Sequence, residues 1–389
     1  GLRRGPRASS GSFPHPLMRF LFSAQGWPYL LAPFILVAVL LEFAFHADPV
    51  LIFVSAALGI IPTAALMGLA TEELAARAGP GIGGFLNVTL GNAAELIIAV
   101  FLLAEGLQEV VKASIIGSIL GNLLLVLGLA MFVGGLGRSR QSFNRTAATA
   151  QAAMLFLAVA ALIMPAIYAL IQGGGLPGVE EVIHDYGSDL EELSLGVAIV
   201  LGITYVGGLI FSMRTHRDVF NPVAHGAEDA GHHATHGWSV KRSLAMLAIA
   251  GVAVGLVSEI LVGSISEAAE SIGISEFFVG VIVVAVVGNA AEHWVAVLAA
   301  RKDKMDLAVN IAIGSAAQIA LFVAPILVLL SFVIGPGPMP LVFNGFELGA
   351  VLIAVLIGAY VTQEGESNWF EGLQLLAVYV VSALAFLYA

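Results

Sequence analysis

The pentapeptide Gly-Asn-Ala-Ala-Glu is written twice, as Gly91–Glu95 and Gly288–Glu292, each time inside a long apolar run that holds no Lys or Arg to neutralise its acid. An ionised carboxylate at the centre of a lipid-facing helix costs at least about 2.5 kcal/mol. Glu95 and Glu292 are therefore expected to face a polar cavity, a bound cation or a proton. Burial opposes the charged form of an acid and a nearby cation favours it. A site that swaps metal ions for protons needs that competition. Asn92 and Asn289 stand three residues before the acids, so amide and carboxylate share one helical face; hydrogen bonding between helices is the other use open to them. Gly91, Gly288 and the Ala pairs keep that face small enough for close helix packing. The glycines are also able to loosen the helix and turn backbone carbonyls toward an ion.

A second pair of signatures, Gly117-Ser118 and Gly314-Ser315, brings uncharged polar groups into two further apolar runs, together with Asn122 and Gln318. Ser118, Asn122, Ser315 and Gln318 can add oxygens to an ion site or a proton path, or can hydrogen-bond between helices. The chain has no cysteine, which removes thiolate sites and disulfides. Hard oxygen donors with two negative charges and no sulfur suit Ca²⁺ better than copper or zinc. His293 follows Glu292 but lies about 100° round the helix, leaving both a proton relay and hydrogen-bonded packing open to it. Glu292-His293 is not the His-Glu-x-x-His arrangement of a zinc protease. The Gly-x-x-x-x-Gly-Lys-Ser/Thr loop of an ATP-driven pump is also missing. The expected protein is not an enzyme and carries no cofactor: its ions are cargo.

Such residues need a scaffold in lipid. The chain has 389 residues, 59% hydrophobic and 11% charged, with a mean hydropathy of +0.97. A soluble domain carries about 25% charged residues. A hydrocarbon core of about 30 Å needs a helix of roughly 20 apolar residues, and eleven such runs can be drawn, near 27–46, 49–70, 81–103, 110–133, 146–171, 190–213, 242–262, 276–299, 306–333, 345–362 and 370–388. The runs are continuous and do not alternate, which excludes a membrane β-barrel. Alternating the loops from a cytoplasmic N-terminus puts 15 of the 16 Lys and Arg inside and only Lys112 outside, a strong positive-inside bias. The C-terminus is then outside. Acids collect outside: Glu180, Glu181, Asp185, Asp189, Glu191 and Glu192 before the sixth run, and Glu267, Glu270 and Glu276 before the eighth. They form a solvated face or draw cations to the mouth. The formal net charge of −11 argues against a nucleic-acid partner; membrane lipid is the expected surroundings, and a homo-oligomer is left open.

Both motif pairs are 197 residues apart, so two halves keep one register. The expected fold is all-α, with about eleven transmembrane helices arranged as one N-terminal helix and two inverted-topology repeats of five. Inverted repeats place a site near the midplane and expose it to alternate sides. The expected divisions are 1–17, a processed or added leader; 18–48, the extra helix, retained because no cleavage site follows it; 49–213, the first repeat; 214–241, a cytoplasmic His-rich linker; and 242–389, the second repeat. The linker, with His216, His225, His232, His233 and His236 among Asp218, Glu228 and Asp229, is read by default as a flexible polar connection, a metal- or pH-sensing loop being the alternative. Glu72, Glu73 and Glu259 near span ends either line an entrance or sit at the interface.

Gly81-Ile-Gly-Gly-Phe-Leu-Asn-Val-Thr-Leu-Gly-Asn-Ala-Ala-Glu-Leu96, Gly117-Ser-Ile-Leu-Gly-Asn-Leu-Leu-Leu-Val-Leu-Gly128, Gly288-Asn-Ala-Ala-Glu-His293 and Gly314-Ser-Ala-Ala-Gln-Ile-Ala-Leu-Phe322 resemble the calcium/proton exchangers of the CAX family, within the wider cation/calcium exchanger superfamily. The likeness runs from about Trp27 onward. It implies one helix plus two inverted groups of five, Ca²⁺ extrusion driven by inward proton flow, and a midplane site. By the same resemblance Glu95 and Glu292 are the paired carboxylates that bind Ca²⁺ or protons, lined by Asn92, Asn289, Ser118, Asn122, Ser315 and Gln318. Eukaryotic members carry an acidic helix between the halves; the linker here is His-rich with few acids, so regulation through it is not expected. The rival readings are a Na⁺/Ca²⁺ exchanger, a Ca²⁺-permeable channel and, more remotely, an intramembrane hydrolase; stoichiometry and selectivity among divalent cations are left open.

Overall fold

The computed structural model describes residues 26–78, 83, 86, 89–179, 187–215 and 237–389. The expected leader, the His-rich cluster His216–His236 and the acids Glu180, Glu181 and Asp185 lie outside the described residues. Nine helices among the described residues are long and apolar enough to cross a membrane: α1 (Trp27–Phe45), α2 (Pro49–Ala75), α4 (Gln108–Gly135), α5 (Arg145–Ile171), α6 (Ser188–Ile210), α7 (Val240–Ile272), α8 (Glu276–Arg301), α9 (Met305–Ser331) and α11 (Trp369–Leu387). Two shorter apolar helices, α3 (Ala93–Ala104) and α10 (Gly345–Val361), occupy the third and tenth of the expected positions. By length and composition, nine helices are candidates among the described residues.

Local chemistry starts these helices. Asp48 accepts the Val50 N–H at 2.9 Å with Pro49 in the first turn of α2, Asn144 accepts from Ala147 at 3.1 Å at the start of α5, and Ser239 caps α7 through Arg242 N. Asn344 and Glu347 form a reciprocal capping box on α10, with bonds of 2.9 and 2.8 Å. Orphan N–H groups at a helix start are costly beside lipid, and these side chains satisfy them.

The repeat is visible in the helix ends. Ala75 and Ile272 end α2 and α7, Ala104 and Arg301 end α3 and α8, and Gln108 and Met305 start α4 and α9; each pair is 197 residues apart. The equivalent helices α4 and α9 form the centre, with 83% and 67% of their apolar windows buried, whereas α1, α6 and α11 lie at the edge with 11%, 22% and 17%. The helix following each Gly-Ser signature widens into a π turn, Gly121–Val126 in α4 and Ile319–Val323 in α9. Such bulges recur at functional sites because they re-aim side chains within a helix.

Contacts sort the connections onto two faces. On one face Asn144 N–H donates to Asp306 at 2.5 Å, Trp238 N–H to Glu73 at 3.1 Å, Arg138 to Arg301 O at 3.2 Å, and a two-residue antiparallel ladder joins Gln141–Ser142 to Glu366–Ser367. On the other, Gln108 donates to Gly337 O at 2.7 Å and Ser194 accepts from Leu341 N–H at 2.9 Å. Lys112, the one cation counted on the outer side, lies in the second turn of α4, 1% exposed. It ion-pairs with Glu109 at 2.7 Å and donates to Val342 O at 2.8 Å.

Candidate functional site

The two copies of the pentapeptide meet at the middle of the molecule. Ser118 of α4 donates to Glu95 Oε1 at 2.7 Å and Ser315 of α9 donates to Glu292 Oε2 at 2.7 Å. These bonds correspond residue for residue under the repeat. The carboxylates also pack on the opposite motif's glycine. A Cβ added at Gly91 would stand 3.6 Å from Glu292 Oε1, and one at Gly288 would stand 3.3 Å from Glu95 Cγ. Glycine is what lets the halves approach so closely. The two acids lie within electrostatic range of one another. Both are half-buried.

The amides join the halves. Asn92 Nδ2 donates to Gln318 Oε1 of the other repeat at 2.6 Å, and Asn289 Nδ2 donates to Glu95 Oε1, to Ser118 Oγ at 3.1 Å and to Ala285 O at 2.9 Å. The structure thus brings together nine of the expected positions: Glu95, Glu292, Asn92, Asn289, Ser118, Ser315 and Gln318 through hydrogen bonds, and Gly91 and Gly288 as the surfaces beneath the acids. Asn122 is fully buried in the π turn of α4, and neither amide atom has a hydrogen-bond partner. His293 is buried with Nε2 unpaired, its Cε1 4.0 Å from where a Cβ on Gly121 would be. Its place is beside the site, against α4.

The expected loosening at the motif glycines differs between copies. Asn92 interrupts the first copy with φ −90° and ψ 15° and serves as the N-cap of α3, whereas Gly288 and Asn289 stay within the continuous stretch Ala285–Arg301, behind a π turn at Val279–Val284. Glu72, exposed near the end of α2, is within electrostatic range of Glu292; its neighbour Glu73 is buried and tied to Trp238. Glu259 is exposed on α7.

Glu95 Oε2 and Asn92 Oδ1 are buried acceptors with no donor, the kind of hard oxygen a divalent cation takes as a ligand. Glu95, Ser114 and Ser118 line a small cleft with Ile319 and Val323, with room of about 20 Å³. Among the described residues no three His, Cys, Asp or Glu gather at metal-binding distance. The arrangement is two acids among neutral oxygens, able to hold one divalent charge or two protons.

An all-α membrane protein whose duplicated halves meet at a half-buried pair of acids has the build of a secondary transporter. The sodium/calcium exchanger protein family matches residues 49–214 and 242–388. The chain is 46% identical over 348 residues to the Ca(2+)/H(+) antiporter of Synechocystis sp., covering 87% of this chain and 91% of that one, and 45% identical over 342 residues to the Ca(2+)/H(+) antiporter ChaA of Bacillus subtilis, covering 88% and 93%. Its fold matches native YfkE with a TM-score of 0.77 at 40% identity, over 93% of this chain and 100% of that one. The chain belongs to the sodium/calcium exchanger family.

Proposed function

We propose that the protein is an antiporter that exchanges Ca²⁺ for H⁺ by alternating access, with Glu95 and Glu292 as the shared binding groups. The observation that carries this reading is the approach of one acid from each half to the opposite motif's glycine, where an added Cβ would stand 3.6 Å from Glu292 at Gly91 and 3.3 Å from Glu95 at Gly288, while a serine of its own half holds each acid at 2.7 Å. Deprotonated, the pair offers two negative charges to a divalent ion. Protonated, it is neutral and the ion loses its counter-charge. Ca²⁺ and two protons therefore compete for one place, and neither crosses as a net charge left buried in lipid. Relatives named as Ca(2+)/H(+) antiporters support protons as the counter-ion over Na⁺, as does a site with two acids only, since several Na⁺ ions need more ligands than it gathers. A channel reading gains nothing from a pair so closely hydrogen-bonded.

Asn92, Asn289, Ser118, Ser315 and Gln318 line this site in the proposal, over Gly91 and Gly288. Asn122 supplies a further oxygen when the π turn of α4 reshapes. His293, buried beside Gly121, relays protons to Glu292. The N-terminus is cytoplasmic and the C-terminus outside, following the Lys and Arg bias, so Ca²⁺ leaves the cytoplasm as protons enter. Other divalent cations of similar size are second substrates.

Because the proton and the metal share the carboxylates, Ca²⁺ binding must release protons. In weakly buffered detergent solution, adding Ca²⁺ to the purified protein is expected to acidify the medium, and Ca²⁺ affinity is expected to fall as pH is lowered. Binding without proton release, at an affinity independent of pH, would remove the basis of the exchange.

A further inference from the structure

The pseudo-symmetry that unites the carboxylates fails one helical turn away, and the failure is directional. Asn310, Gly314 and Gln318 of α9 stand at i, i+4 and i+8, on one stripe of the helix. Gln318 ends that stripe at Asn92. The equivalent stripe on α4 is Ala113, Gly117 and Gly121, with no polar side chain. Asn310 is exposed and hydrogen-bonded to Gln151 Nε2 of α5, whereas Ala113 is 0% exposed. Gln151 corresponds under the repeat to Leu348.

Packing follows the same division. A Cβ at Gly117 would run into the backbone of Val281, so the first part of α8 seals the α4 stripe. At Gly314 the atoms a Cβ would meet are the Asn310 Oδ1 at 3.7 Å and the Gln151 Nε2 at 3.8 Å. The α9 stripe is covered by two amide ends, which can turn aside. Asn310 lies five residues before Ser315, about 7.5 Å nearer the membrane face at 1.5 Å per residue. Glu72 of α2 is on this same side and within electrostatic range of Glu292. An amide pair with Asn310 exposed and Gln151 half-buried in membrane-spanning segments is costly against hydrocarbon and suited to water and a hydrated ion.

We propose that Gln151 and Asn310 form a waypoint for a partly hydrated divalent cation on the side where α9 begins, passing it along the Asn310–Gly314–Gln318 stripe to the carboxylate pair. Their amide oxygens replace water molecules of the ion one at a time, as hard neutral ligands that bind without trapping. On the proposed orientation this is the cytoplasmic side, the side from which Ca²⁺ is loaded. The inference rests on the antiport reading, and Asn310→Ala and Gln151→Ala test it in sealed vesicles of both orientations, with Ca²⁺ presented to one face at a time. Each variant is expected to raise the KM for Ca²⁺ about fivefold at the face where α9 begins, the scale of one lost ligand bond, with KM unchanged at the opposite face. Asn310→Asp, which keeps the oxygen, is expected to restore a KM at or below that of the parent. Equal changes at both faces, or no change in KM, would overturn the waypoint and leave the amides as a bond between α5 and α9. Failure of the parent protein to exchange Ca²⁺ for H⁺ in the same vesicles would instead count against the antiport reading. Thermal stability of each variant in detergent separates a folding defect from either outcome, and the Asp variant decides should an Ala variant not fold.

Discussion

Glu95→Gln and Glu292→Gln are each expected to lower pH-driven Ca²⁺ transport by about 100-fold or more. Each Gln takes away one of the two negative charges that would hold the divalent ion; losing one partner of a buried charge pair costs about 2 to 5 kcal/mol, and roughly 3 kcal/mol of binding is a factor of about 100. The carboxamide also has no proton to exchange at working pH, so the remaining acid cannot balance a divalent ion alone. The fold should survive, because the hydroxyls of Ser118 and Ser315 can still donate to the oxygen of a Gln side chain in place of Glu95 Oε1 or Glu292 Oε2. Monodisperse variants without transport are the expected result. Parent-level exchange by either one would withdraw that acid from the site.

Lys112→Met is expected to be the most destabilising single change away from the site. Lys112 is 1% exposed, holds Glu109 at 2.7 Å and the carbonyl of Val342 at 2.8 Å, and has the charge of Glu347 within range. It joins α4 of the first repeat to the segment that leads into α10 of the second. Removing one member of a buried ion pair costs about 3 to 5 kcal/mol, because the other is left without a counter-charge. The midpoint of thermal unfolding in detergent should fall accordingly, and Glu109→Gln placed on top of Lys112→Met should recover part of the loss. A midpoint unchanged by Lys112→Met would show that the pair carries no net stability.

Much of this was legible in the sequence because lipid makes polar residues conspicuous. Two acids in apolar runs cannot be idle, and their common offset announced the repeat; the ends of α2, α3, α7 and α8 then reproduced it to the residue. Ser118 and Ser315 were recognisable for the same reason. What sequence could not supply was the pairing across the halves: that Asn92 reaches Gln318 while Asn289 turns to Glu95 and Ser118 depends on how the helices lean together. What the sequence did not show of Lys112 is its burial, since a lone cation at a span edge gives no sign of its partners Glu109 and Val342 O. Gln151 and Asn310 went unnoticed because single neutral amides carry little signal. The register held one: their equivalents in the other copy are Leu348 and Ala113.

The central claim is that one pair of carboxylates serves both Ca²⁺ and protons. Its most direct test is Ca²⁺ uptake into proteoliposomes with an acid interior and no Na⁺ on either side. Uptake that begins with the pH gradient, dissipates it as Ca²⁺ enters, and stops when the gradient is collapsed is the predicted result. Ca²⁺ entry that ignores the gradient, or that waits for Na⁺, would contradict it.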